Sequence, residues 1–580
     1  MSQKPCVIAK LDSAALVRAR VWVIGIAWRA YQSLKGCQQP CGVTARLCPL
    51  LNKATLRIRH HLDTLINTGI AGLDEIFLGG IPRHNNLIVE GPPGSGKTTL
   101  GLGFIHAGAA QYGEPGVIVS FELDSAKLLR DAAGFDWDLQ AQIDKGMVKI
   151  IQTSPAVLLS EFRNGDGAFA DALRSMGAKR LLIDGLTPMR LYAEVHDLPF
   201  REDVHLLIEG LNRLGVTTLV TAERDESMAT PAHERFVFDT IIELTRAEHK
   251  RRVERRLTVT KSRGQDFIGG SHTMRIEAHQ GVHVYRRAHS RPKAIDDQPT
   301  SDQRISTGVP AIDGLMDGGL YEGSVTMVSG ISGTGKTVLS VQFLTAAVRQ
   351  GRKTLLVTLD EHPRQLIRNA ASLGFDLEGM IARGELFLQY ESPLELDLDV
   401  HFHSVTSLAE REGIDCIVFD SVAVYELSSR SEVADYLYAL ATYCKNRLAT
   451  VFFNYESPEL LGVSQISEEL KGSHLVDNII LLSYVEISTV LRRAIAIPKV
   501  RGSRIHQVTR EYIIAAGGVA LLDEDTSPTA TANAVPQLPF SAYSSLLSRS
   551  PTRQSPAIDV AVAQGDALPP SVELPVEDAP

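Results

Sequence analysis

Short runs of β-branched and aliphatic residues recur along this chain, most of them closed by a small or polar residue. NLIVE, GVIVSFE, VKIIQ, RLLIDG, TTLVTAE and DTIIELT follow one another between residues 86 and 245. SVTMVSG, TLLVTLDE, LFLQY, DCIVFDS, ATVFFNYE and NIILLSY follow between residues 324 and 484. The runs are nearly continuous in apolar residues rather than alternating, the pattern of strands covered on both faces. Segments of helical length lie between several of them; TTLGLGFIHAGAA, for example, follows the first glycine-rich loop. Strand alternating with helix predicts an α/β fold with a mostly parallel sheet flanked by helices. Such sheets bind ligands at the carboxyl ends of their strands.

The two series are copies of one another. TGIAGLDEIFLGGI starts at Thr68 and TGVPAIDGLMDGGL at Thr307, an offset of 239 residues. GPPGSGKT and GISGTGKT keep the same offset of 239, KSRG and KVRG one of 238, and RLLIDG and CIVFDS one of 236. Four ordered matches at nearly one spacing mark a tandem duplication, each copy long enough to bury its own core. The expected domains are residues 63–290 and 291–522, with a polar, proline-bearing linker near 286–304. Residues 1–62 hold ten Lys or Arg and one acid, and are expected to be a poorly ordered extension. Residues 523–580 hold nine of the 27 prolines among Ser, Ala and Thr, and are expected to be a disordered tail.

Both copies carry G-x-x-x-x-G-K-T between a predicted strand and a predicted helix. Such a loop turns backbone N–H groups onto phosphate oxygens, and the following helix points its positive end at the same anion. The expected ATP contacts are Gly91, Pro92, Pro93, Gly94, Ser95, Gly96, Lys97 and Thr98 in the first copy. In the second they are Gly330, Ile331, Ser332, Gly333, Thr334, Gly335, Lys336 and Thr337. The lysines reach the outer phosphates, and Thr98 and Thr337 ligate Mg²⁺. Asp184 and Asp420 each end an apolar strand, where an acid orients Mg²⁺ or its water. An acid there also serves as a turn residue, but its duplication favours the metal role.

Glu122 ends GVIVSFE, and Asp360 and Glu361 end TLLVTLDE. A carboxylate there polarises the water that attacks the γ-phosphate, although the start of a helix also favours acids. Strand alignment pairs Glu122 with Asp360 and Leu123 with Glu361. Late in each copy, K-x-R-G supplies Lys261 and Arg263, then Lys499 and Arg501. These cations suit a phosphate, in the same subunit or across an interface. The cluster RAEHKRRVERR reads either as a nucleic-acid contact or as a solvated hairpin of alternating charge, and no interleaved aromatics offer a base-stacking platform.

The net charge of −9 argues against a general nucleic-acid binder, more so because the first 62 residues are basic. Six cysteines in 580 residues, four of them before residue 49, make no disulfide framework and point to a reducing, cytoplasmic setting. The apolar stretch from Val21 to Trp28 is too short to span a bilayer.

With these residues in view, roughly residues 63–522 resemble the KaiC family of RecA-like ATPases. The likeness is carried by TGIAGLDEIFLGGI, GPPGSGKT, EPGVIVSFE, RLLIDGLT, TTLVTAER and KSRG in the first copy. In the second it is carried by TGVPAIDGLMDGGL, GISGTGKT, RQLIRNAASLGFD, NIILLSYVE and KVRGS. The resemblance implies two tandem P-loop NTPase domains in a two-ring homohexamer. It also implies ATP and Mg²⁺ between neighbouring subunits, with Lys261, Arg263, Lys499 and Arg501 as inter-subunit contacts. The family's paired catalytic glutamates are matched only in part. Its Ser-Thr phosphoacceptor pair falls on Ser473 and His474, so one acceptor is kept. The expected function is an ATPase with serine autokinase activity that signals through its nucleotide state to a protein partner. Two other readings stay open: a RecA/RadA-like DNA-dependent ATPase, and a nucleotide-bound scaffold with little turnover.

Overall fold

The computed structural model describes residues 65–164, 167–224, 233–249, 252–288, 299–427, 430–456, 475–487, 490–503 and 508–522. The basic extension, the C-terminal tail and Ser473 lie outside the described residues. In the first module the strands are β1 (Asn86–Gly91), β2 (Gly116–Ser120), β3 (Val148–Gln152), β4 (Arg180–Asp184) and β5 (Thr217–Glu223). They continue with β6 (Thr240–His249), β7 (Arg252–Ser262), β8 (Ser271–Glu277) and β9 (Gly281–Tyr285). The second module has β10 (Val325–Gly330), β11 (Thr354–Thr358), β12 (Leu386–Tyr390), β13 (Cys416–Asp420) and β14 (Thr450–Glu456). It ends with β15 (Asn478–Ile487), β16 (Val490–Val500), β17 (Arg510–Ala515) and β18 (Gly518–Leu521).

The first sheet runs β9-β8-β7-β6-β1-β5-β4-β2-β3, and the second runs β18-β17-β16-β15-β10-β14-β13-β11-β12, the same order. From β6 to β3 every neighbouring pair is parallel, whereas β7, β8 and β9 are added antiparallel. The apolar runs become strands because both faces are covered. Leu87, Val89, Ile118 and Leu182 enter one core, and Ile88, Val117, Val119, Leu181 and Ile183 the other. The second module divides Met327, Leu355 and Ile417 from Val328, Leu356 and Val418 in the same way. The described residues of the arginine-rich cluster, 246–249 and 252–256, lie on the antiparallel pair β6 and β7.

Two helices matter for the sites. α1 (Lys97–Gln111) follows β1, and α2 (Lys336–Arg349) follows β10. In the first module a fully buried arginine, Arg180, passes under α1. It donates to Phe104 O at 2.8 Å, Asn67 O at 2.7 Å and Glu114 Oε2 at 2.8 Å. Gly108 on α1 leaves it room, since a β-carbon there would collide with the Arg180 side chain. The modules touch where α3 (Leu398–Glu412) meets β8 and β9. Thr273 Oγ1 donates to Asp399 Oδ2 at 3.0 Å, and Ala288 N to Asp399 Oδ1 at 2.9 Å.

Candidate nucleotide sites

Each phosphate loop leaves a central strand at its carboxyl end and enters a helix. The turn needs a left-handed backbone at Gly94 (φ 73°) and Gly96 (φ 104°), and again at Gly333 (φ 80°) and Gly335 (φ 98°). Glycine takes these values without the steric cost that a β-carbon imposes. A β-carbon on Gly96 would stand 2.7 Å from Ile276 Cδ1, and one on Gly335 2.5 Å from Ile514 Cδ1. The second antiparallel strand of each sheet, β8 or β17, therefore presses against the loop and holds its shape.

The lysines fold back over their own loops. Lys97 Nζ lies 2.8 Å from Gly91 O and 3.0 Å from Pro92 O. Lys336 Nζ repeats this at 2.8 Å from Gly330 O and 3.0 Å from Ile331 O. Burial pushes both ammonium groups below the usual lysine range, and nearby carboxylates oppose it. Those carboxylates are Glu223 and Asp184 for Lys97, and Glu456, Asp420 and Asp360 for Lys336.

The strand-terminal aspartates meet the loop threonines. Thr98 Oγ1 donates to Asp184 at 3.1 and 3.2 Å, and Thr337 Oγ1 to Asp420 Oδ2 at 2.6 Å. A neighbouring strand flanks each carboxylate: Thr221 Oγ1 donates to Asp184 Oδ1, and Asn454 stands opposite Asp420 in the sheet register. Burial raises the Asp420 carboxyl above the usual aspartate range. A hydroxyl and a carboxylate on one spot are hard oxygen donors, the chemistry that Mg²⁺ accepts while keeping waters and phosphate oxygens. Together with a glycine cradle that a β-carbon would fill, this donor set fits Mg-ATP. Both aspartates precede a cis peptide bond, Asp184–Gly185 and Asp420–Ser421.

Glu122 and Asp360 lie two residues beyond Ser120 and Thr358, which pair with Asp184 and Asp420 across the sheet. Ser120 Oγ donates to Leu123 O at 2.9 Å and Thr358 Oγ1 to Glu361 O at 2.8 Å, so the two turns superpose in sequence as aligned. Glu122 and Asp360 are exposed, whereas Glu361 is half-buried and its carboxyl is raised by burial and by Asp420.

The K-x-R pairs lie elsewhere. Lys261 pairs with Ile241 at the start of β6, and β6 starts beside Leu87 at the start of β1. Lys499 pairs with Ile479, next to the start of β10. Both pairs thus occupy the amino edge of the sheet, about 13 Å of strand from their own phosphate loop. Lys261 Nζ donates to Phe236 O at 2.9 Å, and Arg501 meets Asp477 at 3.3 Å. Neither pair stands at its own module's phosphate loop.

Two acids were missed from sequence. Glu223 and Glu456 end β5 and β14 directly beside Gly91 and Gly330, and both act on the loop lysines. The signal was available, since TTLVTAE and ATVFFNYE both close on glutamate. Among the described residues no helix is long and apolar enough to cross a membrane.

Comparison with known proteins agrees with this geometry. The family profile described as "ATPase: KaiC" matches residues 66–289 and again residues 305–526. A circadian clock oscillator protein KaiC from Picosynechococcus sp. is 30% identical over 499 residues, covering 84% of this chain and 92% of that protein. The protein of the same name from Prochlorococcus marinus is 31% identical over 474 residues, covering 79% of this chain and 92% of its own. That from Thermostichus vulcanus is 30% identical over 469 residues, covering 79% and 89%. Two profile matches, one on each sheet, and relatives aligned along most of their length show that the chain belongs to the KaiC family of ATPases, as two tandem RecA-like domains.

Proposed function

We propose that each module binds Mg-ATP at its phosphate loop and hydrolyses it, and that the site is completed by the next copy of the chain in a homohexamer. The observation that carries this reading is the separation of the K-x-R cations from their own loops. A surface with a phosphate loop on one edge and the K-x-R cations on the opposite edge suits head-to-tail contacts, which close into a ring. Lys261 and Arg263, then Lys499 and Arg501, would face the γ-phosphate held by a neighbour and offset the charge of the transition state.

Within one copy, Lys97 and Lys336 would turn from carbonyl oxygens to phosphate oxygens. Thr98 with Asp184, and Thr337 with Asp420, would hold Mg²⁺, which supplies charge neutralisation between the outer phosphates. Glu122 in the first module and Asp360 with Glu361 in the second would orient and deprotonate the attacking water. Ser473 is proposed as a serine acceptor of the module-two γ-phosphoryl group, giving phosphoserine and ADP. Nucleotide state would then alter subunit contacts read by a signalling protein in the cytoplasm.

Native mass with and without ATP tests assembly, and phosphate release from wild type, Lys97→Ala, Lys336→Ala and the double variant tests turnover. Expected are a hexamer with ATP, a reduced rate in each single variant and none in the double. Wild-type release no faster than the double variant sinks the enzyme reading in favour of a scaffold. Phosphopeptide mapping after incubation with ATP decides Ser473, and an unmodified serine removes the kinase step.

A further inference from the structure

The second module contains a largely buried polar chain that the described residues of the first module do not repeat. Glu391 follows β12, His401 lies on α3, and Tyr425 lies in the 3-10 turn Val422–Leu427 just after Asp420. Glu391 Oε2 stands 2.5 Å from His401 Nδ1, and His401 Nε2 stands 2.9 Å from the Tyr425 hydroxyl. His401 and Tyr425 are 0% exposed. With Tyr425 donating to Nε2 and Nδ1–H donating to the carboxylate, both ring nitrogens are satisfied by side chains alone.

These groups close a circuit around the catalytic acids. Leu359 N donates to Asp420 O at 2.8 Å, and Glu391 N to Thr358 O at 3.3 Å. Leu359 and Thr358 directly precede Asp360 and Glu361, and Thr358 Oγ1 holds Glu361 O. The backbone half of the circuit is present in both modules: Phe121 N donates to Asp184 O at 3.4 Å and Thr153 N to Ser120 O at 3.3 Å. The side-chain half is not. Thr153 stands where the second module has Glu391, and the buried Met189 where it has Tyr425. Burying an imidazole and a phenol against a partly buried carboxylate is costly unless every member is bonded, and a satisfied chain of this kind fixes one geometry. The first module has no such chain at the matching positions: Met189 there lies in an α-helix, Leu186–Val195, where the second module has the 3-10 turn that carries Tyr425.

We propose that Glu391, His401 and Tyr425 are positioning residues of the second nucleotide site, holding the segment after Asp420 against the Asp360–Glu361 turn so that the metal-binding carboxylate is set for Mg-ATP. The proposal rests on the reading of Thr337 and Asp420 as metal-binding residues.

The test uses the full chain with a non-hydrolysable ATP analogue and Mn²⁺ as a probe for the Mg²⁺ position, followed by electron paramagnetic resonance. The Mn²⁺ sites lost in Lys336→Ala belong to the second module. Tyr425→Phe keeps the ring and removes one hydroxyl. It is expected to weaken the Lys336-dependent Mn²⁺ site about tenfold, the scale of outer-shell effects on metal sites. Affinity for the analogue in EDTA and the first-module Mn²⁺ site are expected to stay unchanged. His401→Gln keeps a donor and an acceptor and is expected to bind Mn²⁺ within about twofold of wild type, whereas His401→Leu behaves like Tyr425→Phe. The pair at position 401 gives the same answer should Tyr425→Phe fail to fold. An unchanged Mn²⁺ affinity in Tyr425→Phe and His401→Leu overturns the proposal. So does an equal loss of analogue affinity in EDTA, which marks a merely structural role. If the Mn²⁺ site weakens as expected but the wild-type second module releases no phosphate, the hydrolysis reading fails and the positioning role stands.

Discussion

Replacing Gly335 by alanine puts the loop-shaping argument at risk most directly. Gly335 has φ 98° and caps α2 in a left-handed conformation. An L-residue with a β-carbon loses about 1–2 kcal/mol in such a region. The new β-carbon would also lie 2.5 Å from Ile514 Cδ1 on β17. Moving that side chain off its rotamer costs about 0.5–1.5 kcal/mol. The same strand pins the loop independently, since the Tyr512 hydroxyl donates to Thr334 O at 2.5 Å, so the loop has little freedom to shift away. A loop held in this strained shape populates the nucleotide-competent conformation less often, so the cost appears in affinity. A total of about 2–3 kcal/mol weakens ATP binding at the second module roughly 30- to 150-fold. A fluorescent ATP analogue titrated into the full chain reads this as loss of the binding phase that Lys336→Ala also removes. Adding Ile514→Val deletes Cδ1 and relieves only the collision, recovering about 2- to 10-fold. Affinity of Gly335→Ala within about twofold of wild type would refute the argument. Failure of Ile514→Val to recover anything would show that β17 does not shape the loop.

Arg180→Ala is expected to cost the first module about 3–5 kcal/mol, because it removes the buried guanidinium paired with Glu114 and empties the space that Gly108 leaves for it. Chemical denaturation should show an early transition that leaves Lys336-dependent nucleotide binding intact; a loss below about 1 kcal/mol contradicts the assignment. Asp399→Asn tests the contact between modules. Burial raises the Asp399 carboxyl above the usual aspartate range, reinforced by Asp397 and opposed by donors from Ala288 and Thr273 and by Arg256. A folded value above the unfolded one gives a contribution that is complete below the unfolded pKa and lost as pH rises through the folded one. Relative to wild type, Asp399→Asn should therefore gain thermal stability as pH rises above the unfolded aspartate value of about 4, and a pH-independent difference would rule this out.

Much of this protein could be read directly from residue order. Duplicated glycine loops, strand-length apolar runs and their common offset needed no coordinates, because local spacing dictates a strand, a turn and a helix start at Gly91–Thr98 and Gly330–Thr337. Asp184 and Asp420 were legible for the same reason, as acids at the ends of buried strands. Their threonine partners follow from the loop pattern, although they lie 86 and 83 residues away in the chain. The RecA-like class, the two modules and the family were thus settled by one-dimensional pattern.

What remained open was everything that depends on which strands become neighbours. Register across the sheet placed Glu223 and Glu456 beside the loop glycines and put the K-x-R cations at the far edge. Packing of three segments brought Glu391, His401 and Tyr425 together, each unremarked in its own stretch of sequence. Sequence alone determined which chemistry each module carries, because a motif is local. Only the tertiary structure decided which groups share a site, because hydrogen bonds and charges act through space over a few ångströms, and strand order sets that distance.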